Sequence, residues 1–129
     1  MGTTRVERFE DLIAWQRGMD LVVRLYELSR VGKFSRDFAL SDQLHRAGIS
    51  VPANIAEGFE RGSRAEFHRF LSIAKGSCGE VRTHLHIAKR LGYIDAETAA
   101  SAVAEAEEVS RIISKLRTTV ARQRDERKK

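Results

Sequence analysis

The chain has 129 residues, a length that fits one domain, and 42% of them are hydrophobic, which suffices for a core. Charged residues make up 32% and are spread among apolar positions, a pattern that favours exposed helix faces over a disordered chain. The net charge of +5 favours an anionic partner, and no segment has the ~20 consecutive apolar residues of a membrane span.

The first predicted helix runs from about residue 10 to residue 30. Its apolar residues recur at three- and four-residue spacing, which predicts a core-facing side formed by Leu12, Trp15, Met19, Val22, Val23 and Tyr26. Gly32 follows, where a left-handed cap would end the helix. A second apolar stripe lies roughly opposite and consists of Ala14, Gly18, Leu21, Leu25 and Leu28.

Two apolar faces on one surface helix suggest burial on both sides, so we expect subunits of a homo-oligomer to cover the second stripe. The predicted subunit interface consists of Leu21, Leu25 and Leu28 with Phe38 and Ile49 of the next helix. The alternative is a splayed bundle in which the first helix simply lies deep.

The second predicted helix runs from about residue 36 to residue 61, with Leu40, Leu44, Ala47, Val51 and Ile55 on its core side. Pro52 lies inside this stretch, and proline removes a backbone donor and clashes with the carbonyl four residues earlier. We predict a kinked but continuous helix. The alternative is two short helices that break near Ser50.

Ser63 and Glu66 form a capping box, which predicts a third helix from residue 64 to residue 91 with Gly92 as its stop. Asp95 is placed to cap a fourth helix that ends near Arg122. Residues 123–129 are charged and lack an apolar anchor, so we expect them to fray. Long helices with short loops predict one all-α domain, an up-down-up-down antiparallel four-helix bundle over residues 1–129, with an ordered core of about 9–122.

Cationic side chains share one arc of the third predicted helix, about 60° wide at helical spacing. The arc consists of Arg64, His68, Lys75, Arg82, His86 and Lys89. Like charges on one face repel each other, so a stripe of one sign is better explained by binding to a phosphate backbone than by a contribution to stability. The basic C-terminal tail adds a second cationic element. The alternative is a solvated bundle face that pairs with acids of the fourth helix, where Glu105, Glu107 and Glu108 are available.

No motif for catalysis or metal binding assembles in the sequence. The Glu-x-x-His pairs of di-iron bundles are absent, and Glu80 and His84 would need ligands from other helices to hold a metal. Cys78, the only cysteine, lies on the predicted core arc and cannot form an internal disulfide, which favours packing and a reducing cytoplasm. We therefore predict a non-enzymatic protein without metal, cofactor, secretory signal or membrane contact.

Several motifs resemble those of a known family. They are Phe9-Glu10-Asp11-Leu12 with Trp15-Gln16, Leu40-x-x-Gln43-Leu44-x-Arg46-Ala47, Ser50-Val51-Pro52-Ala53-Asn54-Ile55-Ala56-Glu57-Gly58, Phe70-Leu71-x-Ile73-Ala74-x-Gly76-Ser77-x-x-Glu80 and Leu91-Gly92-Tyr93-Ile94. The sequence is thus similar to the four-helix bundle family of 23S rRNA intervening-sequence proteins, often labelled S23 ribosomal protein. We expect structural roles for the motif residues Trp15, Gln43, Arg46, Pro52, Asn54, Glu57, Gly58, Ser77 and Glu80.

The resemblance implies a bacterial homopentamer and kinship with accessory proteins of diversity-generating retroelements, which bind a reverse transcriptase and nucleic acid. The leading hypothesis is an oligomeric scaffold that binds RNA or another nucleic acid. A second hypothesis is a protein-interaction module that docks an acidic or helical partner, such as a reverse transcriptase-type enzyme, without touching nucleic acid. A third is a metal-dependent enzyme on a bundle scaffold.

Overall fold

The computed structural model describes residues 6–128, with side chains through Gln123. Over these residues the chain is all-α and contains no strand. Two 3₁₀ turns, Phe9–Asp11 and Gly32–Arg36, accompany four helices: α1 (Ile13–Ser29), α2 (Phe38–Glu60), α3 (Arg64–Arg90) and α4 (Ala96–Lys128). Each helix packs on the next one along the chain, and α1 also packs on α4, so the four helices close around a shared core.

The predicted starts of α3 and α4 are confirmed by local hydrogen bonds. Ser63 Oγ accepts the backbone N–H of Glu66 at 3.1 Å, and Asp95 Oδ1 accepts that of Thr98 at 2.7 Å. Each cap satisfies a donor that the first helical turn leaves free. Gly92 follows α3 with a φ of 77°, a backbone conformation that favours glycine.

α2 runs through Pro52 without a break, so the prediction of a continuous helix is confirmed and the alternative of two short helices is wrong. Pro52 is buried in the α2 face that meets α1. α4 continues in helical conformation to Lys128, beyond the end expected near Arg122. The side chains of the basic tail after Gln123 lie outside the described residues.

The predicted assignment of the two α1 faces is wrong beyond Trp15, whereas Leu12 and Trp15 pack in or against the core as predicted. Leu21 and Leu25 are fully buried within the single chain, so they need no second subunit to cover them, and Leu28 also packs against the core. Among the residues predicted to face the core, Val23 is 56% exposed and Tyr26 is 41% exposed. The stripe proposed as a subunit interface is therefore the core face of α1.

Small residues explain why α1 turns this face inward. A Cβ added at Gly18 would lie 3.4 Å from Val51 Cγ1, and one added at Gly48 would lie 2.7 Å from Leu25 Cδ1. The glycines thus let the α1 and α2 backbones approach and let Leu25 fill the space beside α2. The deep position of α1 that we considered as the alternative is the one observed.

Candidate nucleic-acid interface

The basic stripe of α3 lies largely against α4. Arg64 Nη1 hydrogen-bonds Gln123 Oε1, and Lys75 Nζ donates to Ser110 Oγ at 3.0 Å. Arg82 Nη1 lies 3.7 Å from Glu107 Oε2. These three cations therefore help to hold two helices together, which is the alternative that the sequence left open for this stripe.

The rest of the stripe does not form a continuous track. His68 is partly buried, and His86 and Lys89, near the end of α3, are exposed. The other α4 acids considered as partners turn toward α1: Arg24 Nη1 lies 2.9 Å from Glu105 Oε1, and Arg17 Nη2 lies 3.0 Å from Glu108 Oε1. Only the C-terminal part of the predicted stripe is thus free to meet a phosphate backbone.

A different basic surface lies where α1 passes into α2. We call it the basic end and define it by Arg30, Lys33, Arg36 and Phe38. Its three cations are exposed, and Phe38 is 78% exposed at the first position of α2. The turn that carries Lys33 and Arg36 begins at Gly32, whose φ of 58° suits glycine.

The basic end is anchored by aromatic packing. Phe34 is fully buried, and its ring centroid lies 5.4 Å from that of Tyr93 in the loop after α3. Tyr93 Oη donates to Asp37 Oδ2 at 2.9 Å, and this hydrogen bond raises the pKa of Tyr93. The turn is therefore fixed to both α2 and the end of α3.

The carboxylates beside the basic end are already engaged. Asp37 accepts the Tyr93 hydroxyl through one oxygen and the Leu40 backbone N–H through the other, at 3.0 Å. Asp42 Oδ2 lies 2.8 Å from Arg46 Nε. Within the part of the chain that the structure describes, the three cations of the basic end form no ion pair, so their charge remains available to an anion.

Phe38 stands between two open concavities. One, of about 590 Å³, is lined by Lys33, Arg36, Asp37, Phe38, Ala39 and Tyr93. The other, of about 430 Å³, is lined by Tyr26, Ser29, Arg30, Ser35, Phe38, Ser41, Asp42 and His45. The basic end therefore combines cations with an accessible aromatic ring. This combination was not predicted from the sequence, although Arg30, Lys33, Arg36 and Phe38 lie within one short segment.

A second aromatic surface lines the concavity on the α1 side. The Tyr26 and His45 rings are stacked, with centroids 3.8 Å apart and planes 8° from parallel. Ser29 Oγ donates to the Leu25 carbonyl and lies 2.7 Å from His45 Nε2, so Nε2 carries the proton and donates to Ser29. Burial lowers the pKa of His45, which keeps the imidazole neutral at pH 7 and leaves Nδ1 as an acceptor.

The family-motif residues make contacts within the bundle. Asn54 Nδ2 donates to the carbonyl and the hydroxyl oxygen of Ser50, both at 2.8 Å, and Ser50 Oγ lies 2.8 Å from the buried Ser77 Oγ of α3. Glu57 pairs with Arg61 at 2.9 Å. The bonds of Asn54 and Ser50 join α2 to itself and, through Ser77, to α3.

The remaining motif residues divide between the core and the surface. Trp15 packs against the core with its ring centroid 5.5 Å from that of Phe9, and Gly58 lies against Phe67 and Phe70 of α3. Gln43, Arg46 and Glu80 are exposed, and Arg46 pairs with Asp42. The last three are thus accessible to a partner, whereas the first two shape the bundle.

Burial governs the chemistry of the cysteine. Cys78 is fully buried on α3, and burial raises the pKa of its thiol to about 11, so it is a protonated packing group at neutral pH. Among the side chains described, those through Gln123, no three histidine, cysteine or acidic groups are placed to hold a metal ion together. None of the helices over residues 6–128 is long and apolar enough to cross a membrane.

Fold and surface together define a helical-bundle protein whose most distinctive exposed feature is a cationic, aromatic end. Residues 10–115 match the family model described as the 23S rRNA-intervening sequence protein, and the chain belongs to this family. A similar solved structure is a protein of unknown function from the S23 ribosomal protein family of Bacteroides thetaiotaomicron, with 27% identity and a TM-score of 0.75. The match covers 81% of this chain and 97% of that one. No curated protein matches the chain.

Proposed function

We propose that this protein is a non-enzymatic, oligomeric four-helix bundle that binds RNA or another nucleic acid in the cytoplasm through basic surfaces. The observation that carries the proposal is the basic end, where Arg30, Lys33 and Arg36 lack acidic partners among the described residues. The family's name, which refers to 23S rRNA, makes nucleic acid the favoured anion. Unpaired cations attract a phosphate backbone and release its counterions on binding.

An up-down-up-down antiparallel arrangement is part of the proposal. Contacts between α3 and α4 run in opposite directions along the two helices, from Arg64 with Gln123 to Arg82 with Glu107. The same holds for α1 and α2, where Gly18 lies against Pro52 and Leu25 against Gly48. Opposed directions between sequential neighbours support an antiparallel bundle. We also propose that α2 bends at Pro52, because a proline ring clashes with the carbonyl four residues earlier, here that of Gly48.

The proposed oligomer uses an exposed apolar surface of α1 and α2 rather than the buried stripe of α1. Val23 and Ile49 are 56% and 46% exposed, and Met19 is also exposed. Met19 and Val23 share a face of α1, and Ile49 lies on α2, which packs against α1. Exposed apolar side chains on two packed helices favour contact with another protein copy. The family resemblance implies five copies.

We expect Ile49→Asp to convert the oligomer into a 14.6 kDa monomer at micromolar concentration, because a buried unpaired carboxylate is costly. Multi-angle light scattering measures the mass. Ile13→Asp is the matched control: Ile13 is 62% exposed but lies about 15 Å along α1 from Val23 and lines a concavity with Ile112 and Leu116 of α4, so its variant keeps the mass of the unmodified protein. A monomeric unmodified protein would contradict the oligomer.

The nucleic-acid proposal predicts that Lys33→Glu/Arg36→Glu weakens binding of a labelled structured RNA at least about tenfold, as charge reversal replaces attraction by repulsion. Fluorescence anisotropy measures the affinity. The control is Arg111→Glu/Lys115→Glu, which changes the net charge equally at two exposed positions of α4. Lys115 lines a concavity that has no aromatic residue in its lining. If the unmodified protein binds no RNA, the proposed function is wrong; if only the α4 variant weakens binding, the surface is misplaced.

A second candidate function, docking of a helical protein partner, is favoured by the same apolar surface around Val23 and Ile49. Affinity purification with and without nuclease separates it from the first candidate. Partners that bind through nucleic acid are lost after nuclease treatment, whereas partners that contact the apolar surface survive it. The second candidate would replace the first if a partner survives nuclease treatment, is lost from the Ile49→Asp variant, and the unmodified protein binds no RNA.

A further inference from the structure

Phe38 is unusual because a large apolar side chain stands almost free at a charged corner of the molecule. Its 78% exposure is the highest among the described large hydrophobic residues. The ring lines both concavities of the basic end, with Lys33 and Arg36 on one side and Arg30 on the other. An exposed ring between cations matches the way single-stranded nucleic acids are bound, with bases stacked on aromatics and the backbone held by charge.

We infer that Phe38 is a stacking platform for an unpaired base, so that the basic end binds single-stranded nucleic acid in preference to duplex. This inference rests on the proposed function and adds the strand type and the residue that selects it. A base over the Phe38 ring places its flanking phosphates toward the Lys33 and Arg36 side and toward the Arg30 side. The bases inside a duplex are stacked on each other and cannot reach the ring.

The second concavity extends the platform. Beside Phe38 it presents the stacked rings of Tyr26 and His45, and Tyr26 is 41% exposed. Since His45 Nε2 donates to Ser29, the neutral imidazole keeps Nδ1 as an acceptor for a base amino group. A neighbouring nucleotide thus meets an aromatic surface and one hydrogen-bond acceptor.

Charge complementarity favours a nucleic acid over a second copy of the chain as the occupant. The acids that line the two concavities, Asp37 and Asp42, are bonded within the bundle, so a copy seated symmetrically on Phe38 brings unpaired cations against unpaired cations. Like charges at close range repel, whereas a phosphate backbone neutralises them. Phe38 is therefore assigned to the nucleic acid rather than to the subunit interface predicted from the sequence.

The test compares a labelled 12-nucleotide oligouridine RNA with a 12-base-pair RNA duplex, using the full chain and fluorescence anisotropy. Phe38→Ala is expected to weaken oligouridine binding about 5- to 100-fold, as for other base-stacking aromatics, and to change duplex binding less than about twofold. Phe38→Trp retains the platform and keeps the affinity. Val31→Ala is the matched control, since Val31 is 62% exposed nearby but lines neither concavity.

Three results would overturn the inference in distinguishable ways. If the unmodified protein binds neither probe, the proposed function fails as well. If it binds and Phe38→Ala changes neither affinity, or changes both equally, only the stacking role is wrong. If Phe38→Ala lowers the oligomer mass in light scattering, Phe38 belongs to a subunit interface. Circular dichroism verifies that each variant keeps its helix content, which a change at so exposed a position leaves intact.

Discussion

Gly58→Ala is expected to destabilise the bundle by about 1–3 kcal/mol, although alanine is the better helix former. A Cβ at this position of α2 would lie 2.7 Å from Phe70 Cβ and 3.3 Å from the Phe67 backbone at Cα. Neither atom belongs to the flexible end of a side chain, so the two helices would have to move apart. The loss of packing outweighs the gain of about 1 kcal/mol that alanine gives inside a helix.

Gly76→Ala provides the matched control for this prediction. Gly76 also lies inside a helix, but a Cβ there has no atom within 4 Å, so the same change should stabilise the protein by about 0.5–1 kcal/mol. Urea unfolding at one fixed protein concentration measures both variants. Equal effects of the two substitutions would mean that α2 and α3 do not approach closely at Gly58.

The second large effect is expected on α1. Leu25→Ala should cost about 2–5 kcal/mol, because Leu25 is fully buried against Gly48 and its removal leaves a cavity. Val23→Ala should cost less than about 1 kcal/mol, since Val23 is 56% exposed. Denaturant unfolding compares the two variants under identical conditions. A greater cost for Val23→Ala than for Leu25→Ala would restore the face assignment that the sequence suggested and contradict the structure.

The starts of α3 and α4 and the stop after α3 were predictable because they depend on local chemistry. The hydroxyl of Ser63 and the carboxylate of Asp95 satisfy backbone donors three residues away, and Gly92 supplies a conformation that other residues avoid. The continuity of α2 was predictable from the apolar residues that keep helical spacing on both sides of Pro52. Each of these features is decided by residues within one or two turns.

The orientation of α1 was not predictable in this way. Both of its faces are apolar, so periodicity alone gives two solutions. The choice depends on how Gly18 meets Pro52 and how Leu25 meets Gly48, contacts between helices that are distant in sequence. The second apolar stripe of α1 contains the small residues Ala14 and Gly18, and a close approach of two helices requires small residues on the facing side. These residues were therefore the indication in the sequence of which face of α1 is buried.

The candidate site was predicted in part. The cations of α3 do share an arc, but the arc turns Lys75 and Arg82 toward α4, and a helical pattern cannot show what lies opposite. The basic end lies in a short segment without helical periodicity, so no amphipathic pattern marks it. The basic end forms only in the folded chain, where the hydrogen bond between Tyr93 and Asp37 fixes the turn and Lys33 is exposed beside Phe38.

The central claim, a nucleic-acid surface at the basic end, is tested most directly by the salt dependence of oligouridine binding to the unmodified protein. The logarithm of the association constant is plotted against the logarithm of the salt concentration. If Arg30, Lys33 and Arg36 each neutralise one phosphate, the slope of this plot is expected to be about −2 per subunit. Lys33→Glu/Arg36→Glu should flatten this slope. Binding that is independent of salt, or a slope that the double variant leaves unchanged, would contradict the claim.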